Sequence, residues 1–357
     1  MSSISTTTTS HHPIRPVLEA AGLSSLMAFI MLLLYLGGFH NPAPHDLELA
    51  VVTGDPAAAA PIEDGVVSAL GDGVHVRTLG SREEAEQLLA SQEISGAYIP
   101  GPGEETLLTA PAASATTADL VTKVFQRAAL AEGKPLTIDD VVPLAKNDPV
   151  GQNSFFYMVA LSVGSYATSI AIGASGIHQR FRVRIAIAAA AAVTIATVFL
   201  LAASTLFGLF DGHVLSTWGL SVLYSMAIIF VGVGLHPLLG RFCTLTYASM
   251  FVGLNFTSSG GVFGPELQNG FFRAVHDFWI GAGFIDATRD IAYFPQLSLT
   301  HPLTLLAGWL VAGIACLALG AAVERHRHDP SHALPPRERY GLSEDIEEEL
   351  EENVAAA

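Results

Sequence analysis

Five stretches of this chain, residues 20–39, 155–177, 185–207, 215–235 and 303–323, contain no Asp, Glu, Lys or Arg. Each has about the 20 residues needed to cross the hydrocarbon core of a bilayer as a helix. Nothing else constrains the fold as strongly, because a backbone in lipid must satisfy its own hydrogen bonds, which leaves helices and closed barrels. The runs are continuously apolar rather than alternating, which selects helices. A sixth run, 242–256, is shorter and reaches spanning length only by continuing through the uncharged residues 257–263. The expectation is an α-helical polytopic membrane protein with six transmembrane helices. Composition agrees: 14% of residues are charged, against about 25% in soluble domains. The first run exceeds the roughly 7–15 residues of a signal-peptide core and reads as a retained anchor. Cys243 and Cys316 lie inside expected spans and read as buried structural thiols, not as a disulfide framework.

Charge is unevenly placed. Residues 46–150 hold 17 acids against 6 bases, and 324–357 hold 10 against 4, within a net charge of −16. Lys and Arg in short loops mark the cytoplasmic side, and the connection 176–184 carries Arg180, Arg182 and Arg184. Arg15, Arg241, Arg325 and Arg327 fall on the same side, so both termini are expected inside and the acidic segment outside. That acidity argues against nucleic acid as a partner. The lipid bilayer is the expected one, in a bacterial plasma membrane; abundant Ala and Arg with three Lys suit a GC-rich, actinobacterial-looking source.

The expected domains are a cytoplasmic tail 1–19, a first transmembrane helix 20–39, an extracytoplasmic α/β domain 40–153, a five-helix membrane region 154–325 and an acidic cytoplasmic tail 326–357. Within the α/β domain the pattern predicts strands at 47–52, 74–79, 94–99 and 106–109. Helices are predicted at 62–70, from Ser81 with a capping box to Glu84, and from Thr117 to a stop near Gly133. No nucleophile constellation, metal cluster or phosphate loop is visible, so no catalytic, cofactor-binding or metal residues are assigned and an enzyme is not expected. His40, His45 and His75 lie singly, and His213, His236 and His301 sit at span ends as interfacial residues.

The spans themselves lack the charged groups that ion-coupled carriers place at mid-membrane. Small residues at helix-contact spacing, Ala160, Gly164 and Thr168, then Ala312, Cys316 and Gly320, predict tight packing and are compatible with a dimer. Residues 258–300 stand apart. Ser258-Ser259-Gly260-Gly261 breaks the fifth helix and Pro265 can open a new one. The face Leu267, Phe271, Phe272, Val275 and Phe278 alternates with Glu266, Arg273, His276 and Asp277, which is too polar for a full span. A re-entrant helix between spans five and six follows, with Gly260, Gly261, Pro265, Glu266, Arg273 and Arg289 as a candidate gate. A second short helix, 286–294, carries Arg289, for which Asp286, Glu266 and Asp277 are local partners.

Taken in order and spacing, four stretches resemble the membrane subunits of type-2 ABC exporters, in the branch that includes the phage-infection-protein family. They are Leu49-Ala50-Val51-Val52-Thr53-Gly54-Asp55; Ile94-Ser95-Gly96-Ala97-Tyr98-Ile99-Pro100 after the Ser81 helix; Asn147-Asp148-Pro149-Val150-Gly151; and Ser259-Gly260-Gly261 through Pro265-Glu266-Leu267 to Phe271-Phe272-Arg273. The resemblance covers nearly all of residues 15–325. It implies a permease that pairs with a separate ATPase subunit, since no phosphate-loop motif occurs here and ATP would act only through that partner. It also implies a homodimer, or a heterodimer with a similar permease, and places an ATPase-coupling loop at His178, Arg180, Arg182 and Arg184, whose charge also serves as a topology signal. Two departures stand out: the connection 176–184 is short for a coupling helix, and residues 2–10 lack the apolar periodicity of an amphipathic entry helix. Two functions therefore stand side by side: export of an amphipathic or lipid-like molecule, and a non-transporting scaffold, secretion accessory or phage-receptor-like protein acting through its outer domain.

Overall fold

The computed structural model describes residues 14–176 and 179–327. Helix α1 (Ile14–Phe39) leads into an α/β domain made of β1 (Leu47–Val52), α2 (Pro56–Leu70), β2 (Val74–Leu79), α3 (Arg82–Ala90), β3 (Gly96–Ile99), β4 (Glu105–Thr109), α4 (Ala115–Glu132) and β5 (Leu136–Asp140). The sheet order is β2-β1-β3-β4-β5, with β3 and β4 antiparallel and the other pairs parallel. Successive strand side chains point to opposite faces, so β1 feeds two cores. Leu47, Leu49 and Val51 pack with Val121 and Phe125 of α4 and with Val66 of α2. Ala50 and Val52 face Ala85 and Leu89 of α3. Ser81 caps α3 by accepting from the Glu84 amide at 3.2 Å, and Gly133 closes α4 in the left-handed region. Helix α2 starts earlier than expected because Asp55 accepts from the Ala57 amide at 2.9 Å and supplies the cap. Strand β5 is absent from the predicted set: its side chains are mostly exposed, so no burial alternation marks it.

The rest is helical: α5 (Asn153–Ser175), α6 (Phe181–Phe207), α7 (Val214–Leu239), α8 (Cys243–Ala248), a π-turn segment Ser249–Leu254, α9 (Asn255–Ser258), α10 (Gly270–His276), α11 (Ile280–Tyr293) and α12 (Thr300–Arg327). Five stretches among the described residues are long and apolar enough to cross a membrane: α1, α5, α6, Val214–Ser258 and α12. Large apolar side chains such as Leu33 and Leu36 on α1, Leu201 and Phe207 on α6, and Val311 on α12 point outward. Apolar surface of that extent suits lipid and not water.

The stretch Val214–Ser258 is not one straight rod. In a straight helix residues 31 apart lie about 46 Å from each other, yet Asn255 Nδ2 donates to the Tyr224 hydroxyl at 2.7 Å. Tyr247 donates to the Gly232 carbonyl, 15 residues back, at 2.6 Å, and Cys243 contacts the His236 carbonyl, 7 residues back. Separations that shrink toward the middle describe a hairpin, and Gly240, with φ +50°, makes the reversal. The return arm, 243–258, is about 24 Å long. Its helix stops at Ser258 and does not continue through 263. The element expected at 286–294 is also longer, running over Ile280–Tyr293 with one face sealed into the bundle. An apolar residue there packs on its neighbours whichever face lies outward, so hydropathy alone placed its start six residues late.

Helix α7 is buried on nearly every side. It runs against α12 with Gly234 set over the backbone of Cys316 and Leu317, and Gly320 over the Gly234 carbonyl, so any side chain there would strike main chain. Where lipid is as apolar as Leu, such close approach, not water exclusion, holds helices together.

Candidate functional site

The six residues of the candidate gate gather at the joint between the α/β domain and the stretch 258–300. The Gly260 carbonyl accepts from Arg289 Nη2 at 2.9 Å, and Gly260 itself has φ +74°. Gly261 lies against the Phe155 ring, where a Cβ would come within 2.6 Å. Pro265 starts a short 3-10 turn, Pro265–Leu267. The Glu266 carboxylate accepts from the Thr117 hydroxyl, and its carbonyl accepts from the His45 amide at 2.7 Å. Arg273 donates to the His45 carbonyl at 3.2 Å, and Arg289 pairs with Asp286 at 3.3 Å. Of the three partners expected for Arg289, only Asp286 is used.

Further bonds fasten the joint. Thr116 donates to the Val262 carbonyl at 2.9 Å, Gln92 to Asp290 at 3.1 Å and Gln296 to the Ala90 carbonyl at 2.6 Å. Between the two parts lies a polar cavity of about 370 Å³, lined among others by Ser114, Glu266, His276, Asp286, Arg289 and His301. His276 Nδ1 is 2.8 Å from the Ser258 carbonyl, which can only accept, so that nitrogen carries a proton and Nε2 faces Asp286 at 3.7 Å. Burial, with the Asp286 charge beside it, pushes the Asp290 carboxyl up to about 6. The cavity is a charged joint of mixed sign in which Glu266, His276, Asp286 and Arg289 all have protein partners.

A second site lies between α5 and α6, at the ends nearer the α/β domain. An apolar groove of about 610 Å³ is lined by Phe156, Tyr157, Ala160, Phe199, Ala203 and Phe207. It runs on, through Asn147, Asn153 and Leu209, into a polar pocket of about 500 Å³ that adds Lys146, Asp148, Asp211 and His213. The Asn147 side-chain amide donates to the Gly208 carbonyl and ties the start of α5 to the α6–α7 turn. The Asp148 carboxylate accepts from the Gln152 and Asn153 amides and closes the first turn of α5. Sequence reasoning missed this groove, because a gap between two helices depends on their crossing and not on the periodicity of either.

His178 of the expected coupling loop lies outside the described residues. Arg180 and Arg182 are exposed. Arg184 is not part of a free loop: its side chain is 3% exposed, pairs with Glu324 of α12 and covers the Phe181 ring. Asp46, Glu48 and His75 could bring three metal-ligand atoms within 4.8 Å of one another, but Arg77 already holds Glu48 at 2.8 Å and Arg273 faces Asp46 at 3.7 Å. No protein family, curated protein or solved structure matches the chain.

Proposed function

We propose that this chain is the permease-like subunit of an ABC-type exporter in a bacterial plasma membrane, moving an amphipathic or lipid-like molecule with a separate ATPase subunit. The observation that carries the proposal is the groove between α5 and α6, whose apolar trough opens among lipid-facing side chains and ends in a polar pocket. An acyl chain fits the first part and a head group the second. Orientation follows the basic residues. Arg15, Arg180, Arg182, Arg241, Arg325 and Arg327 lie toward the bundle end away from the acidic α/β domain, which supports a reading with both termini in the cytoplasm and the domain outside. In this reading the return arm 243–258 is the fifth of six spans, and 259–299 is a re-entrant element that lies on the outer side under the domain. Exposed Arg180 and Arg182 are the residues that meet the ATPase; Arg184 is structural.

The test is photo-cross-linking in native membranes, with a photoreactive amino acid at Phe156 or Phe199 on the groove and at Val311 as a lipid-facing control. Enrichment of one lipid-like adduct at the groove over the control supports the proposal, and identical adduct profiles refute it. Co-purification of an ATPase in near-equal amount, lost in Arg180→Glu/Arg182→Glu, tests the partner.

A second reading, a non-transporting scaffold or receptor, draws on the joint. Bonds from Gln92, Thr116 and Thr117 hold the α/β domain rigidly on the bundle, as a fixed platform requires. Retention of every partner after deletion of residues 46–150 would exclude it.

A further inference from the structure

Helices α5 and α7 run side by side in the same direction. Tyr157 and Ser221 bond across them at 2.9 Å, and Ser162 and Tyr224 at 2.5 Å, pairs separated by 64 and 62 residues. A near-constant offset means a parallel pair. Ser162, Ser165 and Ser169 recur at helical spacing on one face of α5, and Thr217, Ser221, Tyr224 and Ser225 do so on one face of α7. All seven side chains are buried. Asn255 of α9 closes the third side, donating to the Ser162 hydroxyl at 3.1 Å and to Tyr224. One helical turn beyond Ser165, Ser169 lies against Gly232, whose carbonyl takes the Tyr247 hydroxyl, so the polar seam reaches most of the way along the bundle.

Small polar residues do allow helices to pack closely, but packing does not account for their unpaired atoms. The hydroxyls of Ser165 and Ser225 and the Oδ1 of Asn255 have no hydrogen-bond partner, although all three residues are 0% exposed. Buried polar groups without partners cost free energy, and a ligand or water that supplies the missing bonds recovers it. Tyr157 joins the two features: its ring lines the lipid-facing groove and its hydroxyl is the first bond of the seam.

We propose that the hydroxyl-lined seam between α5, α7 and α9 is the route the substrate's head group takes from the adjoining polar pocket, entered past Tyr157, which packs edge-to-face on Phe210 of that pocket, while the apolar tail stays in the groove. The proposal rests on the exporter reading and adds a substrate class. Between Tyr157 and Ser169 the seam has no carboxylate, ammonium or guanidinium, and Arg184, which lies over Gly176 at the far end, is paired with Glu324, so this stretch can replace water for hydroxyls but cannot neutralise a charge. The head group is therefore neutral and hydroxyl-rich, as on a sugar-headed lipid, and not a phosphate or sulfate.

The experiment uses the full chain in lipid nanodiscs with Cys243→Ala and Cys316→Ala, carrying Ser165→Cys, Ser225→Cys or, as control, Ala192→Cys in the apolar α6–α7 contact. Each is treated with the neutral hydroxyethyl and the anionic sulfonatoethyl methanethiosulfonate, with rates normalised to a free thiol. The seam cysteines should react with the neutral reagent about tenfold faster than the control and than with the anionic reagent, since labelling follows access to the thiolate. Decyl glucoside should slow that labelling and decyl sulfate should not. Seam cysteines as inert as the control, equal rates with both reagents, or no difference between the two amphiphiles would overturn the proposal. The exporter reading would still stand if the groove cross-links were retained, so the two failures are distinguishable.

Discussion

The Arg184–Glu324 pair makes a prediction in which the two halves of one ion pair behave differently. The Arg184 side chain is 3% exposed and that of Glu324 27%. Removing one partner of a buried pair leaves the other charge uncompensated, at about 3–5 kcal/mol when that charge is fully buried. In Glu324→Gln the stranded group is the guanidinium, which cannot reach water and whose Nε already lacks a partner, so the full range is expected. In Arg184→Met the group left behind is a carboxylate that water reaches, and the methionine keeps most of the packing on Phe181, so about 1–2 kcal/mol is expected. The double variant Arg184→Met/Glu324→Gln should recover most of the loss of Glu324→Gln. The assay is thermal unfolding in nanodiscs, followed by tryptophan fluorescence, with the four proteins forming a double-mutant cycle. If Arg184→Met is the more damaging single change, or if the effects simply add, burial does not govern this pair and the reasoning fails. Because the pair is structural, an Arg184 variant does not test the proposed ATPase contact; Arg180 and Arg182 variants do.

Gly320→Ala places a methyl against the Gly234 carbonyl and should cost about 1–3 kcal/mol by overpacking, whereas Gly308→Ala meets open space and should be neutral or stabilising; equal melting shifts for the two would refute the α7–α12 contact. Asp290 holds its proton more tightly folded than unfolded, so its ionisation weakens the folded state as pH rises from about 4 through about 6. Asp290→Asn should remove that slope, and wild type and variant should converge at pH 4 and diverge above 6 in melting temperature; a constant difference across pH refutes the assignment. Thr117→Val strips the Glu266 carboxylate of its donor, at about 1–2 kcal/mol, and should raise hydrogen exchange at the start of α4 and in 262–268 while leaving α12 unchanged.

Much of this architecture is legible in the sequence where a signal is local. Charge-free runs mark the long helices, and Ser81 and Gly133 mark helix ends. Gly260, Glu266 and Arg289 stand out because polarity interrupts an apolar stretch, and they do gather at one joint. What stays hidden depends on partners distant in sequence. The sequence offers Asp286 for Arg289, three residues away, but gives no hint that Glu266 meets Thr117, 149 residues earlier, or that Gln92 meets Asp290, 198 residues later. Arg184 reads as loop charge because its burial is created by α12, at the far end of the chain. The serines of α5 look like packing residues until the face of α7 opposite them is known.

The separation between Thr117 and Glu266 also has a consequence in time. Chains emerge from the ribosome at roughly 5–20 residues per second, and domains fold as they appear. Strand β5 ends at Asp140, so the α/β domain can be complete for about 6–25 s before Glu266 is synthesised, at those same rates. During that interval its docking rim must stay open beside the growing chain. The polar members of that rim, Gln92, Ser114, Thr116 and Thr117, are well suited to waiting: water satisfies each of them until the late-arriving segment displaces it.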